Sequence, residues 1–122
     1  MNRMRATQLG PAEVRLLDDW AKALREMFPD ALGVLHVGSS LTRADWRDID
    51  VRVVLPDSNF ETLRLVMRPR RLNLALTLWG QRVTGLPIDC QIQPLAKSSE
   101  YPHVQCPVRP LGCRDSEGVE GA

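Results

Sequence analysis

Three aspartates and one small-residue turn are the parts of this chain whose residue types and spacing could do chemistry. Asp48 and Asp50 stand two positions apart in "RDIDVRVVL", and Asp89 stands in "PIDCQIQ". Alternate residues of a β-strand share one face, so the Cβ atoms of the first two would lie roughly 6.5 to 7 Å apart on one side. Close carboxylates repel one another at neutral pH, so such a cluster is costly unless a divalent cation or basic groups neutralise it. Mg²⁺ is the natural candidate, because it binds a few carboxylates together with water and substrate phosphates.

The turn Gly38-Ser39-Ser40 directly follows a short apolar run and precedes the aspartate pair. Its exposed backbone N–H groups, together with the Ser39 hydroxyl, could hold the terminal phosphates of a nucleotide. The alternative is an ordinary strand exit, because Gly-Ser pairs are common at such places. The position of the turn before the acidic pair is what favours phosphate binding.

Hydrophobic periodicity indicates which elements position these residues. After Pro11, apolar residues recur every three or four positions and predict an amphipathic helix of about five turns that ends before Pro29. Residues 31–37, "ALGVLHV", form a short apolar run whose length and flanking turn residues favour a buried strand. His36 is therefore interpreted as a structural strand residue rather than a catalyst.

The strand that carries the aspartate pair alternates strictly over residues 48–55, with apolar residues on one face and both aspartates and Arg52 on the other. The following segment, "PDSNFETLRLVM", predicts a short helix with Ser58 as its N-cap. A longer helix follows Pro69 and ends at Gly85, which is a typical C-terminal cap residue.

The segment "LPIDCQIQP" predicts a third strand with one apolar face. If this strand lies beside the aspartate-pair strand with the polar faces matched, the Asp89 carboxylate joins Asp48 and Asp50. The predicted fold class is α/β (α+β), with a small mixed sheet of three or more strands packed against helices. Residues 1–95 form this domain, and residues 96–122 form an irregular C-terminal extension whose end is expected to be disordered.

Composition limits the range of functions. At 122 residues with 43% apolar content, the chain has the size of a single domain with one modest core. Sixteen basic residues nearly balance fifteen acidic ones, so the overall charge does not direct the protein to nucleic acid or to an anionic membrane. No apolar run approaches the roughly twenty residues of a transmembrane helix, and the N-terminus lacks the apolar centre of a secretory signal. With three cysteines expected to be reduced thiols, these features predict a cytoplasmic protein with no membrane partner.

In their order along the chain, these motifs resemble those of the nucleotidyltransferase superfamily with the DNA polymerase beta-like fold, especially its minimal members. The resemblance consists of the strand "GVLHV", the turn Gly38-Ser39, an eight-residue interval, the Asp-x-Asp strand "DIDVRVVL", and Asp89 within "PIDCQIQ". It extends from about residue 12 to residue 93.

The resemblance implies a Mg²⁺-dependent transfer of a nucleoside monophosphate group from a nucleoside triphosphate to an acceptor hydroxyl. Two metal ions would take part, with Mn²⁺ as a possible replacement. Carried over by position, Asp48 and Asp50 would hold the metal that bridges the triphosphate. Asp89 would complete the second metal site and help to activate the acceptor oxygen.

The resemblance and the neighbouring charges also suggest a nucleotide-binding set: Gly38, Ser39, Ser40 and Arg52. The glycine and serines would hold the β- and γ-phosphates, and the arginine would stabilise the charge of the triphosphate. Arg43 and Arg47 in the preceding loop are alternatives for that role. Each arginine could equally be a solvated surface charge or the partner of a neighbouring aspartate.

The connection "SLTRADWR" departs from the family pattern. Many minimal members continue the turn as Gly-Ser-x-Ala-Arg-Gly and place Ser-Asp before the first metal aspartate, whereas this chain reads "GSSLTRADWRDID". Trp46 is interpreted as a packing residue at the lip of the site, with a stacking platform for a base as the alternative. The alternative function is a catalytically inactive relative that binds nucleotide or acts as an antitoxin-type interaction protein.

The partners stay open at this stage. The acceptor could be a small molecule, an RNA or a protein hydroxyl, and a homodimer or a partner chain could complete the cleft. The basic segment "RLVMRPRRL", with Arg70 and Arg71, could follow a nucleic-acid backbone, although such clusters are more often solvated faces. In the extension, Tyr101 or Arg109 could fold over the site.

Overall fold

The computed structural model describes residues 7–98 and 108–113, and all that follows concerns these residues. The helices are α1 (Pro11–Met27), α2 (Ser39–Thr42), α3 (Asp57–Val66), α4 (Pro69–Thr84) and α5 (Leu95–Ser98). The strands are β1 (Gly33–Val37), β2 (Ile49–Leu55), β3 (Ile88–Pro94) and β4 (Val108–Pro110). No helix in these ranges is both long enough and apolar enough to span a membrane.

The four strands form one mixed sheet in the order β3-β2-β1-β4. β1 is antiparallel to both β2 and β4, whereas β2 and β3 are parallel. Two parallel neighbours cannot be joined by a tight hairpin, and here α3 and α4 form the crossover between them. The predicted fold class, a small mixed sheet packed against helices, is confirmed.

Strand alternation divides the sheet into a core face and a polar face. The core face carries Val34, His36, Ile49, Val51, Val53, Leu55, Ile88, Cys90 and Ile92. It packs against α1 and α4, which contribute Leu17, Trp20, Leu24 and Leu76 to the same cluster. The polar face carries Asp50, Arg52, Asp89 and Gln91, all of them half-buried. Burial of apolar surface on the first face therefore places these four residues on the opposite face, where Val37, Val54 and Gln93 are also buried.

A row of polar side chains on α4 binds the outer edge of β3. Asn73, Thr77 and Gln81 recur every four residues and so share one side of the helix. The Thr77 hydroxyl accepts the N–H of Cys90 at 2.8 Å and lies 3.2 Å from its carbonyl oxygen. Asn73 Oδ1 accepts the N–H of Ile92 at 2.9 Å, and Gln81 Nε2 donates to the first carbonyl of the strand at 3.0 Å. The helix thus occupies hydrogen-bonding groups that an edge strand would otherwise present to another chain.

Replacing Thr77 with Val should lower the free energy of unfolding by about 1 to 3 kcal/mol, because both backbone groups of Cys90 lose their partner at a partly buried position. Urea denaturation monitored by circular dichroism measures this loss. Thr62→Val is the matched control: that hydroxyl only bonds to the Ser58 carbonyl on the exposed side of α3. It should change stability by less than about 0.5 kcal/mol. Equal losses in the two variants would contradict the role assigned to Thr77.

The segment 108–113 belongs to the packed domain, which sequence patterning did not predict. Leu111 is fully buried, its N–H donates to the Val34 carbonyl at 2.8 Å, and its own carbonyl accepts the Arg25 Nε–H at 2.7 Å. The N–H of Gly112 donates to Asp18 Oδ1 at 3.2 Å. The expected boundary at residue 95 therefore leaves out an edge strand and a core residue. The expected disorder of the chain end, and Tyr101, lie outside the described residues.

His36 is a fully buried residue of the core face, in agreement with its interpretation as a structural residue. Its Nε2 is within hydrogen-bonding distance of Ser40 Oγ, and its register partner on β4 is Arg109. Burial, and secondarily the positive charge of Arg109, lowers the pKa of His36 to about 4. Arg109 itself lies 4.0 Å from Asp18 on the core face, so the expectation that it folds over the aspartates is wrong.

The lowered pKa of His36 predicts a loss of stability in mild acid. The unfolded chain takes up a proton near the ordinary pKa of 6.5, whereas the folded chain resists protonation down to about pH 4. Stability is therefore complete above pH 6.5, and about 2 kcal/mol should be lost between about pH 7 and about pH 5. Urea denaturation of the wild type and of His36→Gln at both pH values measures this. The variant should be less stable at pH 7, but its free energy of unfolding should fall less between pH 7 and pH 5. An equal fall in the two proteins would contradict the prediction.

Candidate active site

Asp50 and Asp89 occupy directly opposed positions on neighbouring parallel strands. Asp50 of β2 pairs in register with Asp89 of β3, and both side chains are half-buried on the polar face. Adjacent strands lie about 4.8 Å apart, so the two carboxyl groups are near neighbours. The sequence predicted that both carboxylates would lie on polar faces, and the shared register brings them together.

The electrostatic surroundings of Asp50 reflect this crowding. Burial raises the pKa of the Asp50 carboxyl, and the negative charges of Asp89 and Asp48 raise it further, while the positive charge of Arg52 lowers it. The net result is a raised pKa. Three carboxylates and one guanidinium leave the group with a surplus of negative charge when all are ionised. Such a group attracts cations.

Asp48 lies at the exposed entrance of β2 rather than within it. The strand begins at Ile49, and the side chain of Asp48 is exposed to solvent. Its charge nevertheless acts on Asp50, two residues further along. Asp48 is therefore the most accessible of the three carboxylates.

Gly38 places the backbone of the turn directly against Asp50. It follows β1, whose last residue, Val37, pairs with Asp50 across the antiparallel strands. Gly38 has φ 87° and ψ −164°, a region open in practice only to glycine. A Cβ atom added here would overlap the Asp50 carboxylate. The turn therefore lies directly against the Asp50 carboxylate, and a side chain at residue 38 would displace that carboxylate.

The two serines of the turn have different environments. Ser39 begins α2 and is half-buried, so it lies at the surface beside Gly38. Ser40 is fully buried, and its hydroxyl lies against His36 while its carbonyl accepts the N–H of Gln8 at 2.9 Å. Ser40 therefore anchors α2 to the core and does not present its hydroxyl to a ligand at the surface.

Arg52 lies beside the carboxylate pair but hydrogen-bonds to the backbone. Its Nη1 donates to the carbonyl oxygens of Val51 at 3.0 Å and of Asp89 at 3.3 Å. The guanidinium therefore links β2 to β3 at the level of the two aspartates. Sequence reasoning placed Arg52 on the correct face but did not predict these backbone contacts, which depend on strand register.

The loop between α2 and β2 contains the residues that depart most from the expected motif. Arg43 forms a two-point ion pair with Asp45, at 3.0 and 2.9 Å, on the exposed surface. Arg47 is exposed, and Trp46 packs partly against the hydrophobic core. The contacts of Trp46 agree with its interpretation as a packing residue.

The described residues contain no ready-made cluster of three His, Cys, Asp or Glu side chains that could enclose a metal ion. What they contain is the Asp50–Asp89 pair, with Asp48 at the strand entrance. The donor set suits Mg²⁺ or Mn²⁺, because these ions prefer oxygen ligands and retain several waters rather than requiring a closed protein cage. The pKa of Asp50 is raised chiefly by burial and further by the neighbouring carboxylates, so a bound cation would favour its ionised form.

The two cysteines in the described part of the chain, Cys90 and Cys113, lie away from this site. Cys90 is on the core face, and burial raises the pKa of its thiol to about 12, which keeps it protonated. Cys113 is exposed beside Arg25 on α1, away from the polar face. Cys90 is a free thiol, as expected of a buried core cysteine.

Comparison with known proteins finds no matching protein-family model, no matching curated protein and no matching solved structure.

Proposed function

We propose that this protein is a Mg²⁺-dependent nucleotidyltransferase that moves a nucleoside monophosphate group from a nucleoside triphosphate to an acceptor hydroxyl. The observation that carries this proposal is the register pairing of Asp50 with Asp89 next to the glycine turn at residue 38. A structural role alone gives no reason to place two carboxylates side by side in a half-buried sheet, because their repulsion is unfavourable.

Each part of the site has a distinct task in this reaction. Asp50 and Asp89 supply oxygen ligands from adjacent strands, and Asp48 supplies a third from the strand entrance. Divalent cations bound there would stabilise the charge on the attacking and leaving oxygens of an in-line displacement. Backbone N–H groups of the turn and the Ser39 hydroxyl donate hydrogen bonds to the β- and γ-phosphates.

The reaction balances as a simple displacement at phosphorus. The acceptor oxygen forms a bond to the α-phosphorus, and the bond from that phosphorus to the α–β bridging oxygen breaks. Pyrophosphate leaves with the bonding electron pair, and the hydroxyl proton passes to the Asp89 carboxylate. Arg52 adds a side-chain contact to the Asp89 carbonyl beside the ladder that holds β2 and β3 in register.

The proposal is tested by incubating the full chain with each nucleoside triphosphate, Mg²⁺ or Mn²⁺, and pools of small hydroxyl compounds, RNA and protein. Pyrophosphate release that needs the protein, a divalent cation and an acceptor is the expected result. Absence of release with every nucleotide and every acceptor pool would overturn the enzyme proposal.

A second candidate is a relative that binds nucleotide without catalysis, as an antitoxin-type interaction protein would. It is favoured by the loop that follows the turn, because Ser40 is buried and Arg43 is engaged by Asp45. This loop therefore supplies fewer groups to a triphosphate than the family pattern implies. Nucleotide binding that depends on Asp50 but is never followed by pyrophosphate release would favour this second function.

A further inference from the structure

The outward side of α4 carries a stripe of exposed residues that is apolar in the middle and basic at both ends. The stripe consists of Arg71, Leu74, Ala75, Leu78 and Arg82. Their spacing of three and four residues aligns them along one side of the helix. The two leucines are 58% and 54% exposed, far more than core leucines of the same helix such as Leu76, at 3%. The stripe therefore faces away from the sheet.

Positive charge is concentrated around this stripe. Residues 62–88 contain five arginines and no aspartate or glutamate, although the whole chain has a net charge of only +1. Within the described ranges, no carboxylate lies within 4.0 Å of the guanidinium of Arg71 or Arg82. At the N-terminal end of the stripe, a concave surface of about 720 Å³ is lined by Arg68, Pro69, Arg70, Arg71 and Leu74. The face combines unpaired positive charge with exposed aliphatic surface.

These features discriminate between possible occupants. Two leucines one helical turn apart are what a second helix buries when it packs along a first one. A second copy of this chain does not fit, because pairing α4 with itself in either direction brings arginine against arginine. A nucleic acid would match the arginines but not the centre of the stripe, since aliphatic side chains offer no platform for base stacking.

We propose that the outward side of α4 is a docking surface for an amphipathic helix of a different protein. That helix has an apolar centre that covers Leu74 and Leu78, and carboxylates at both ends that pair with Arg71 and Arg82. The proposal does not depend on nucleotidyl transfer, because the stripe is on α4 and the carboxylate pair is on the polar face of the sheet.

The test uses two synthetic helical peptides of about 18 residues, with leucines at helical spacing in the centre and either Glu or Lys at both ends. Binding to the full chain is measured by fluorescence anisotropy at about 0.1 M salt. The Glu-flanked peptide should bind the wild type at least about tenfold more tightly than the Lys-flanked peptide. In the variant Arg71→Glu with Arg82→Glu, this preference should reverse. In Leu74→Gln with Leu78→Gln, both peptides should lose affinity by about tenfold or more.

Arg15→Glu with Arg47→Glu is the matched control, because it makes the same charge change at two exposed arginines that are not on α4. It should leave the peptide preference unchanged, and circular dichroism should show that all variants fold. The proposal is overturned if the Glu-flanked peptide does not bind at millimolar concentration or if the charge reversal does not switch the preference. It is also overturned if a uridine oligonucleotide or an anionic phosphatidylglycerol vesicle binds the wild type, loses affinity for the arginine double variant and keeps its affinity for the leucine double variant. Self-association of the chain that Leu74→Gln abolishes would overturn it as well.

Discussion

Replacing Asp50 with Asn should reduce pyrophosphate release by more than about a hundredfold while leaving the fold as stable as the wild type or more stable. The activity should fall because the neutral amide removes the central negative charge of the proposed cation site. Stability does not fall, because burial and two neighbouring carboxylates make the ionised Asp50 unfavourable in the folded chain. The sign follows from the raised pKa: the folded state binds protons more readily than the unfolded state, so ionisation at neutral pH opposes folding.

Two measurements on the same preparations check this prediction, namely pyrophosphate release and the thermal unfolding midpoint. Asp19→Asn is the matched control, because it makes the same chemical change at an exposed carboxylate on α1. The ion pair of Asp19 with Lys22, at 3.8 Å, is also exposed to solvent. The control should retain activity within about twofold. An Asp50→Asn protein that loses activity only because it unfolds would contradict the account, and so would one that retains full activity.

Replacing Gly38 with Ala should be strongly damaging for a change of one methyl group. Alanine does not readily adopt a φ of 87° with a ψ of −164°, and its methyl group would overlap the Asp50 carboxylate. Backbone strain of this kind costs of order 1 to 3 kcal/mol, and displacement of the carboxylate adds to the cost. The free energy of unfolding should therefore fall by more than about 3 kcal/mol, or nucleotide turnover should be lost as Asp50 moves aside.

Gly85→Ala separates backbone strain from the clash. Gly85 also has a positive φ, 71°, but an added Cβ atom there would meet nothing within 4 Å. Its cost should be about 1 to 2 kcal/mol, which is the cost of the left-handed conformation alone. Introducing Asp50→Ala should relieve part of the Gly38→Ala defect and none of the Gly85→Ala defect, as a double-mutant cycle by urea denaturation would measure. Equal losses for both glycines, with no coupling to Asp50, would show that the turn does not lie against the carboxylate.

Much of the fold was predictable from the sequence, because it follows local patterns. Apolar periodicity after Pro11 predicted α1, which spans Pro11–Met27, and strict alternation predicted the two faces of β2. Gly85 caps α4 in the left-handed conformation, as its position suggested. These features depend on one element and its own buried side, and such information is contained in consecutive residues.

The predictions that failed depended on contacts between distant segments. β4 has only three residues and ends at Pro110, so it carries too little alternation to be recognised, and its pairing with β1 gives it structure. The predicted N-cap at Ser58 is wrong, because α3 begins at Asp57 after Pro56, so Ser58 lies inside the helix. The strand β4 and the first residue of α3 depend on tertiary contacts, which the spacing of residues along the chain does not reveal.

In the candidate site, too, local patterns were predictable from the sequence and contacts between distant segments were not. Residue types and alternation placed Asp50 and Asp89 on polar faces, but only the parallel register makes them direct partners. The different environments of Ser39 and Ser40 could not be predicted from the sequence either. Whether Ser40 faces solvent or His36 depends on how α2 packs against the core. The sequence could propose the members of the site, whereas strand register decides which of them meet.

The most direct test of the central claim is a crystal structure of the full chain with Mn²⁺ and a non-hydrolysable nucleoside triphosphate, using the anomalous signal of manganese to locate the ion. We expect anomalous density in contact with the carboxylates of Asp50 and Asp89, with the triphosphate against the turn at Gly38 and Ser39. Manganese bound elsewhere, or no manganese at the carboxylate pair in a crystal that holds the nucleotide, would contradict the central claim.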